Sequence, residues 1–215
     1  MAIATELGLC ADPQAWRAVG FLVDSDGVVV LGGIRLRIEV GSDPDTVVGL
    51  TSWTLCGDGA SASIDGLATR WVPDAGPRVV TTAAGGHPNG VVGIDHVVVN
   101  TPDLERTCAA IELATGAPLK RIREAGAMRQ GFHRLGELIV EVVTHPGVVH
   151  PQAELWGLAL TVGDLQPLFV NLGSDLISPP KQAVQPGRMI SSFRAAAGLG
   201  IPVALMTTRS DSQIR

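Results

Sequence analysis

Apolar positions along this 215-residue chain follow two rhythms, one of helix period and one of strand period. Three stretches carry the helix grammar. Asp12-Pro13 opens a short helix that Gly20 stops. Thr101-Pro102 opens a longer one, with Leu104, Cys108 and Ile111 on one face and Gly116 just past its end. Asp164 opens the third, with Leu165, Leu168, Phe169 and Leu172 apolar and Gly173 ending it. A capping oxygen, an early proline and a terminal glycine are what helix ends require.

Strand-like runs follow each helix. After the first come Phe21 to Val23, Val28 to Leu31 and Ile34 to Val40, with Asp26-Gly27 as a hairpin turn. After the second come Leu119 to Arg123, Gln130 to Leu135 and Leu138 to Val143. After the third come Ile177, a segment near Gln182 to Val184, Met189 to Phe193 and Pro202 to Met206. Strands also precede two of the helices, at Gly93 to Val99 and Trp156 to Val162. Residues 93–143 and 157–206 therefore repeat one plan: strand, helix, three strands. Each such unit forms a small sheet with a helix on one face, and two of them pair edge to edge around a cup.

The N-terminal part reads as a third, altered unit. Val48 to Trp53 resembles Val92 to Val97, yet it follows its helix and strands instead of preceding them. The expected division is a rearranged unit at 1–56, a loop-rich linker at 57–91, and full units at 92–147 and 154–209. The linker is rich in Gly, Ala, Asp and Pro, with weak strand signals at Arg70 to Val72 and Val79 to Thr81.

Composition narrows the function classes. Hydrophobic residues are 46% and the net charge is -5, with Lys and Arg scattered, so no basic face for nucleic acid is expected. No apolar run reaches the roughly 20 residues that span a bilayer. The longest, Ala195 to Met206, is broken by Gly198, Gly200 and Pro202. No signal peptide is read at the N-terminus. Three dispersed cysteines, Cys10, Cys56 and Cys108, point to a reducing cytoplasm without disulfides. No dinucleotide fingerprint, phosphate loop or nucleophile elbow is present.

The polar residues that stand out sit in the strands. Period-two alternation puts Ile94, His96 and Val98 on one face of an opening strand. It puts Ile139, Glu141 and Val143 on one face of a closing strand. A charge in so apolar a strand is costly unless paired or metal-bound. His96 and Glu141 would be half of a metal ligand set, or a hydrogen-bonded pair lining a cup. The matching positions of the next unit, Gly157 and Ala204, carry no donor. His133 and Glu137 are candidate third ligands. Arg129, Gln130, Trp156 and Arg188 are candidate ligand-binding residues, Arg129-Gln130 and Arg188 lying in hairpins near the cup mouth. An arginine there can hold a carboxylate bidentately. His87, His145 and His150 read as turn or loop residues.

The doubled order, with Asp95-His96-Val97-Val98-Val99 and Glu137-Leu138-Ile139-Val140-Glu141-Val142-Val143 at the ends of one unit, resembles the vicinal oxygen chelate superfamily. That group contains glyoxalase I, bleomycin-resistance proteins and extradiol dioxygenases. The chain looks most like its uncharacterised glyoxalase-like domain proteins. The resemblance implies an α+β fold of tandem βαβββ modules pairing into a cup-shaped, partly open barrel, here with a rearranged N-terminal module. It places metal ligands at His96 and Glu141, for Zn, Ni, Mn or Fe on an incomplete set, and implies a homodimer.

Three readings follow. In the first, a glyoxalase-like protein acts on a small carbonyl or carboxylate compound, by a divalent metal or by acid-base catalysis through Glu141 and His96. In the second, the same cup sequesters a small molecule without chemistry. In the third, the cup is filled by its own side chains.

Overall fold

The computed structural model describes residues 1–43, 47–73 and 86–208. The N-terminal half comprises β1 (Ile3–Cys10), α1 (Pro13–Ala18), β2 (Val28–Leu31), β3 (Ile34–Glu39), β4 (Gly49–Cys56), β5 (Ser63–Ile64) and β6 (Leu67–Val72). The C-terminal half begins with β7 (Val91–Asn100), α2 (Leu104–Thr115), β8 (Arg121–Ala125), β9 (Met128–Leu135) and β10 (Leu138–Thr144). It continues with β11 (Glu154–Val162), α3 (Gln166–Leu172), β12 (Lys181–Gln182), β13 (Met189–Ser192) and β14 (Val203–Thr207).

The helices form where capping chemistry allows. Asp12 accepts from the Gln14 N–H at the start of α1, Asp103 from the Arg106 N–H at the start of α2, and Asp164 from the Gln166 N–H ahead of α3. Gly116 closes α2 at φ 69°, a left-handed conformation that a side chain would oppose. No helix among the described residues is long and apolar enough to cross a membrane.

Two mixed sheets result. The C-terminal one has the order β12-β13-β14-β11-β7-β10-β9-β8. It contains two strand-helix-three-strand units joined through the antiparallel β7–β11 pair, each with its closing strand parallel to its opening strand. Its ends, β8 and β12, do not meet, so the sheet stays an open cup.

The N-terminal sheet has the order β2-β3-β1-β4-β6-β5. The first unit is not rearranged as Val48 to Trp53 suggested, because its opening strand precedes its helix. β1 is an opening strand ahead of the helix, and it runs parallel to β3. β4 opens a second, abbreviated unit with no helix, closed by the parallel β6. β6 thus includes the weak Arg70 to Val72 signal, whereas Val79 to Thr81 lies outside the described residues. The strand expected at Phe21 to Val23 does not form. Phe21 packs on Trp16 at 4.9 Å, and the Leu22 N–H is taken by Nδ1 of His87. His87 opens the expected His87–Gly90 turn, its carbonyl accepting from the Gly90 N–H at 2.8 Å, and it is also buried, its Nε2–H donating to the Val30 carbonyl.

One apolar core serves both halves, running from Leu7, Leu36 and Trp53 to Val97, Val140 and Leu160. Trp16 of α1 donates to the Leu199 carbonyl, and Asp65 of the β5–β6 turn binds Arg106 and Thr107 of α2. The alternate residues of each sheet face away from this core, and there the polar groups gather.

Candidate functional site

β7 does not keep strict alternation. Ala159 of β11 pairs with His96, but the next residue, Leu160, pairs with Ile94. Asp95 is the extra residue of a β-bulge, which places two residues opposite one and re-aims them. Ile94 consequently shares a face with the fully buried Leu160 and packs on the core, which corrects its expected place beside His96. Asp95 joins His96 on the cup face instead.

The imidazole of His96 lies between two carboxylates. Nδ1 is 2.8 Å from Oδ2 of Asp95 and Nε2 is 3.0 Å from Oε2 of Glu141. Burial alone would lower the imidazole pKa, but the hydrogen bonds to Asp95 and Glu141 outweigh it and raise it to about 9. His96 is thus an imidazolium near neutral pH, donating through both nitrogens. Burial pushes the Asp95 carboxyl up, yet His96 and Arg188 together hold it below its ordinary value.

The network extends in both directions. Gln130 Nε2 donates to Oε1 of Glu141. Arg188, only 9% exposed, donates from Nη2 to Asp95 at 2.6 Å, from Nη1 to Gln185 at 2.8 Å and from Nε to the Thr207 carbonyl at 2.6 Å. The polar chain Gln130–Glu141–His96–Asp95–Arg188 therefore crosses the cup from β9 to the hairpin before β13.

A cavity of about 610 Å³ opens beside it. Asp95 and Ile139 line it together with Arg121 and Arg123 of β8, and with Gln185 and Arg188 from the opposite end of the sheet. Arg121 stacks over the Phe132 ring at 4.6 Å, which fixes its guanidinium near the rim. Three arginines and one carboxylate face this space, so it favours an anion.

The structure brings His96, Glu141, Gln130 and Arg188 into one network. It does not bring Arg129 or Trp156 there. Arg129 pairs with Glu105 of α2 at 2.7 Å, on the helix face of the sheet. Trp156 is the extra residue of a bulge in β11 and is 44% exposed, outside the cavity. His133 also points the other way. It is 1% exposed and its Nδ1 binds the Ala117 carbonyl behind the sheet. Asp95, Arg121 and Arg123 were not among the residues expected. The spacing of Arg121 and Arg123 signals a shared face, but nothing in the sequence signals the bulge that turns Asp95 inward.

The donor set does not fit a resident divalent metal, which takes about three protein ligands at an open site. Both nitrogens of His96 are engaged by carboxylates. No group of three His, Cys, Asp or Glu among the described residues is arranged to hold an ion. The facing unit cannot supply the missing donors without rebuilding. A Cβ on Gly157 would come within 2.7 Å of the Pro202 carbonyl oxygen.

No family model matches the sequence, and no curated protein matches it. Solved structures do. A triple variant of 4-hydroxymandelate synthase from Streptomyces coelicolor superimposes with a TM-score of 0.63 at 16% identity, covering 95% of this chain and 92% of its own. The chain shares the fold of that synthase. Methylmalonyl-CoA epimerase from Mycobacterium tuberculosis matches over 59% of this chain and 94% of its own, with a TM-score of 0.48 and 15% identity. Within this fold, the cup of β7, β10, β11 and β14 is the place where the polar network lies.

Proposed function

We propose that the protein is a glyoxalase-like small-molecule binder whose C-terminal cup takes a small anion bearing a carboxylate, with or without an adjacent carbonyl. One observation carries this reading. The cavity has Asp95 of the charged network on one wall and Arg121, Arg123 and Arg188 around it. Arg188 is spent on Asp95, which leaves Arg121 and Arg123 as the charges available to a ligand. Guanidinium forks hold carboxylates in two parallel hydrogen bonds, so these two residues would set the ligand's orientation.

A second reading, acid-base catalysis, rests on the order of groups behind the cavity. Asp95 faces the ligand space, His96 behind it carries a proton on each nitrogen, and Glu141 balances the charge. Asp95 would take the proton of a carbon acid beside a carbonyl, exchange it with solvent and return one to the carbon, with His96 stabilising the carboxylate before and after. The hydrogen bonds that hold Asp95 ionised make it a weak base, which is why binding comes first.

Calorimetric titration with small keto acids and dicarboxylates tests the reading. Binding that weakens at least ten-fold in the Arg121→Ala/Arg123→Ala variant supports it. No binding by any of these compounds contradicts it. Deuterium uptake by a bound keto acid in D2O, lost in His96→Gln, would add the catalytic reading.

A further inference from the structure

The N-terminal sheet repeats the polar arrangement with different charges. β1 also carries a bulge, at Thr5, next to Glu6. Glu6 stands opposite Arg35 and Gly8 opposite Arg37, as His96 stands opposite Ile139 and Val98 opposite Glu141. In each case the first residue reaches diagonally to the partner of the residue two further on. Glu6 meets Nε of Arg37 at 3.1 Å where His96 meets Glu141 at 3.0 Å. The first unit therefore holds a carboxylate and a guanidinium where the third holds an imidazole and a carboxylate.

The neighbours add positive charge. Arg35, Glu6, Thr54 and Arg70 form one row across β3, β1, β4 and β6. These residues, with Thr5 and Arg37, line a cavity of about 260 Å³. Glu6 is shared between Arg35 at 3.3 Å and Arg37 at 3.1 Å, and its side chain is 18% exposed. Arg70 has no carboxylate partner among the described residues. Glu39, next on the same face of β3, lies outside the cavity. Three guanidinium groups thus line one cavity, two of them bound to a single carboxylate, with two hydroxyls beside them.

We propose that this cup is a second binding site, for a small organic anion held through a carboxylate or phosphate group by Arg70, Arg35 and Arg37. Its volume lies below the roughly 300–1,000 Å³ of sites for drug-sized ligands, so the compound has few carbons. Glu6 holds two of the arginines in place, and Arg70 supplies the uncommitted fork. The site stands on the opposite half of the molecule and does not depend on the reading of the C-terminal cup.

The test uses the full chain carrying Arg121→Ala/Arg123→Ala, which removes the rim charges of the other cup. Succinate and inorganic phosphate are titrated by calorimetry, and the arginine Nε–H resonances are followed by NMR. The expected result is one residual site for at least one probe, with the Arg35 and Arg37 resonances moving. Adding Arg70→Ala weakens it at least five-fold, while Arg70→Lys weakens it less. Binding of succinate alone assigns a carboxylate, and of phosphate alone a phosphate. No residual site for either probe, or affinity unchanged by Arg70→Ala, overturns the proposal. Arg70 is exposed, so its loss leaves the fold intact, which a thermal melt confirms.

Discussion

Nε2 of His96 lies 3.0 Å from Oε2 of Glu141, at adjacent strands of one sheet, with Asp95 closing the other side of the ring. Two ligands of a metal would converge in the same way. The second carboxylate decides the difference, because a ring that donates through both nitrogens has no lone pair to offer. What holds the centre of this cup together is a proton-bearing imidazole between two negative charges.

Removing His96 leaves Glu141 without a cation, while Asp95 keeps Arg188. His96→Ala places Asp95 and Glu141 near one another with no cation between them. Breaking a buried pair costs about 3–5 kcal/mol. The 15% and 11% exposure of these side chains puts this case at the lower end, about 3 kcal/mol. Denaturant unfolding of His96→Ala measures it. A loss under about 0.5 kcal/mol would show that solvent already screens the pair.

His96 and His87 respond to pH with opposite signs. The folded-state pKa of His96 is raised to about 9, so its stabilisation is complete below the unfolded value near 6.5 and fades as pH climbs through 9. His87 is the reverse. Burial lowers its pKa despite the Val30 hydrogen bond, so it stabilises above about 6.5 and that contribution is lost as pH falls. Thermal melts from pH 5 to 10 are expected to lose their alkaline slope in His96→Gln and their acidic slope in His87→Gln. Unchanged slopes in both variants would contradict the assignments.

Arg188 competes with His96 for Asp95. Arg188→Ala leaves Asp95 to His96 alone and removes a nearby positive charge, so the His96 pKa is expected to rise further. Loss of three part-buried hydrogen bonds also destabilises the fold by about 2–3 kcal/mol. A fall in the His96 pKa in this variant would mean that Arg188 does not act through Asp95.

Restoring the absent ligand position does not restore a metal centre. Gly157→His must push a Cβ against the Pro202 carbonyl oxygen, which also accepts from the Leu158 N–H at 3.0 Å. This variant is expected to be less stable than the parent by about 1–3 kcal/mol, as overpacked sites are. Zn²⁺ and Mn²⁺ are expected to change its melting point no more than that of the parent. Stoichiometric metal retained on purification would contradict this.

Much of the fold was legible because helix ends and strand periods are local. Asp12, Asp103, Asp164, Gly116 and Gly173 fix three helices by their own chemistry. β1 escaped because Glu6, Gly8 and an adjoining helix hide its alternation in a run of short residues. The Asp95 bulge escaped for a different reason: it exists only where β7 and β11 must keep register around the cup. Glu141 could be singled out as a charge in an apolar strand, and the same signal at Glu6 marks the N-terminal cup. Arg129 was misleading because its hairpin neighbour Gln130 faces the cup and adjacent strand residues face opposite ways.

The most direct test of the account is the ring ¹⁵N spectrum of His96 between pH 5 and 10, assigned by its loss in His96→Gln. Both nitrogens protonated through neutral pH, with deprotonation near 9, is the result expected. A neutral ring at pH 7.5, titrating near the ordinary value of 6.5, would contradict the charged Asp95–His96–Glu141 centre on which the proposed cup rests.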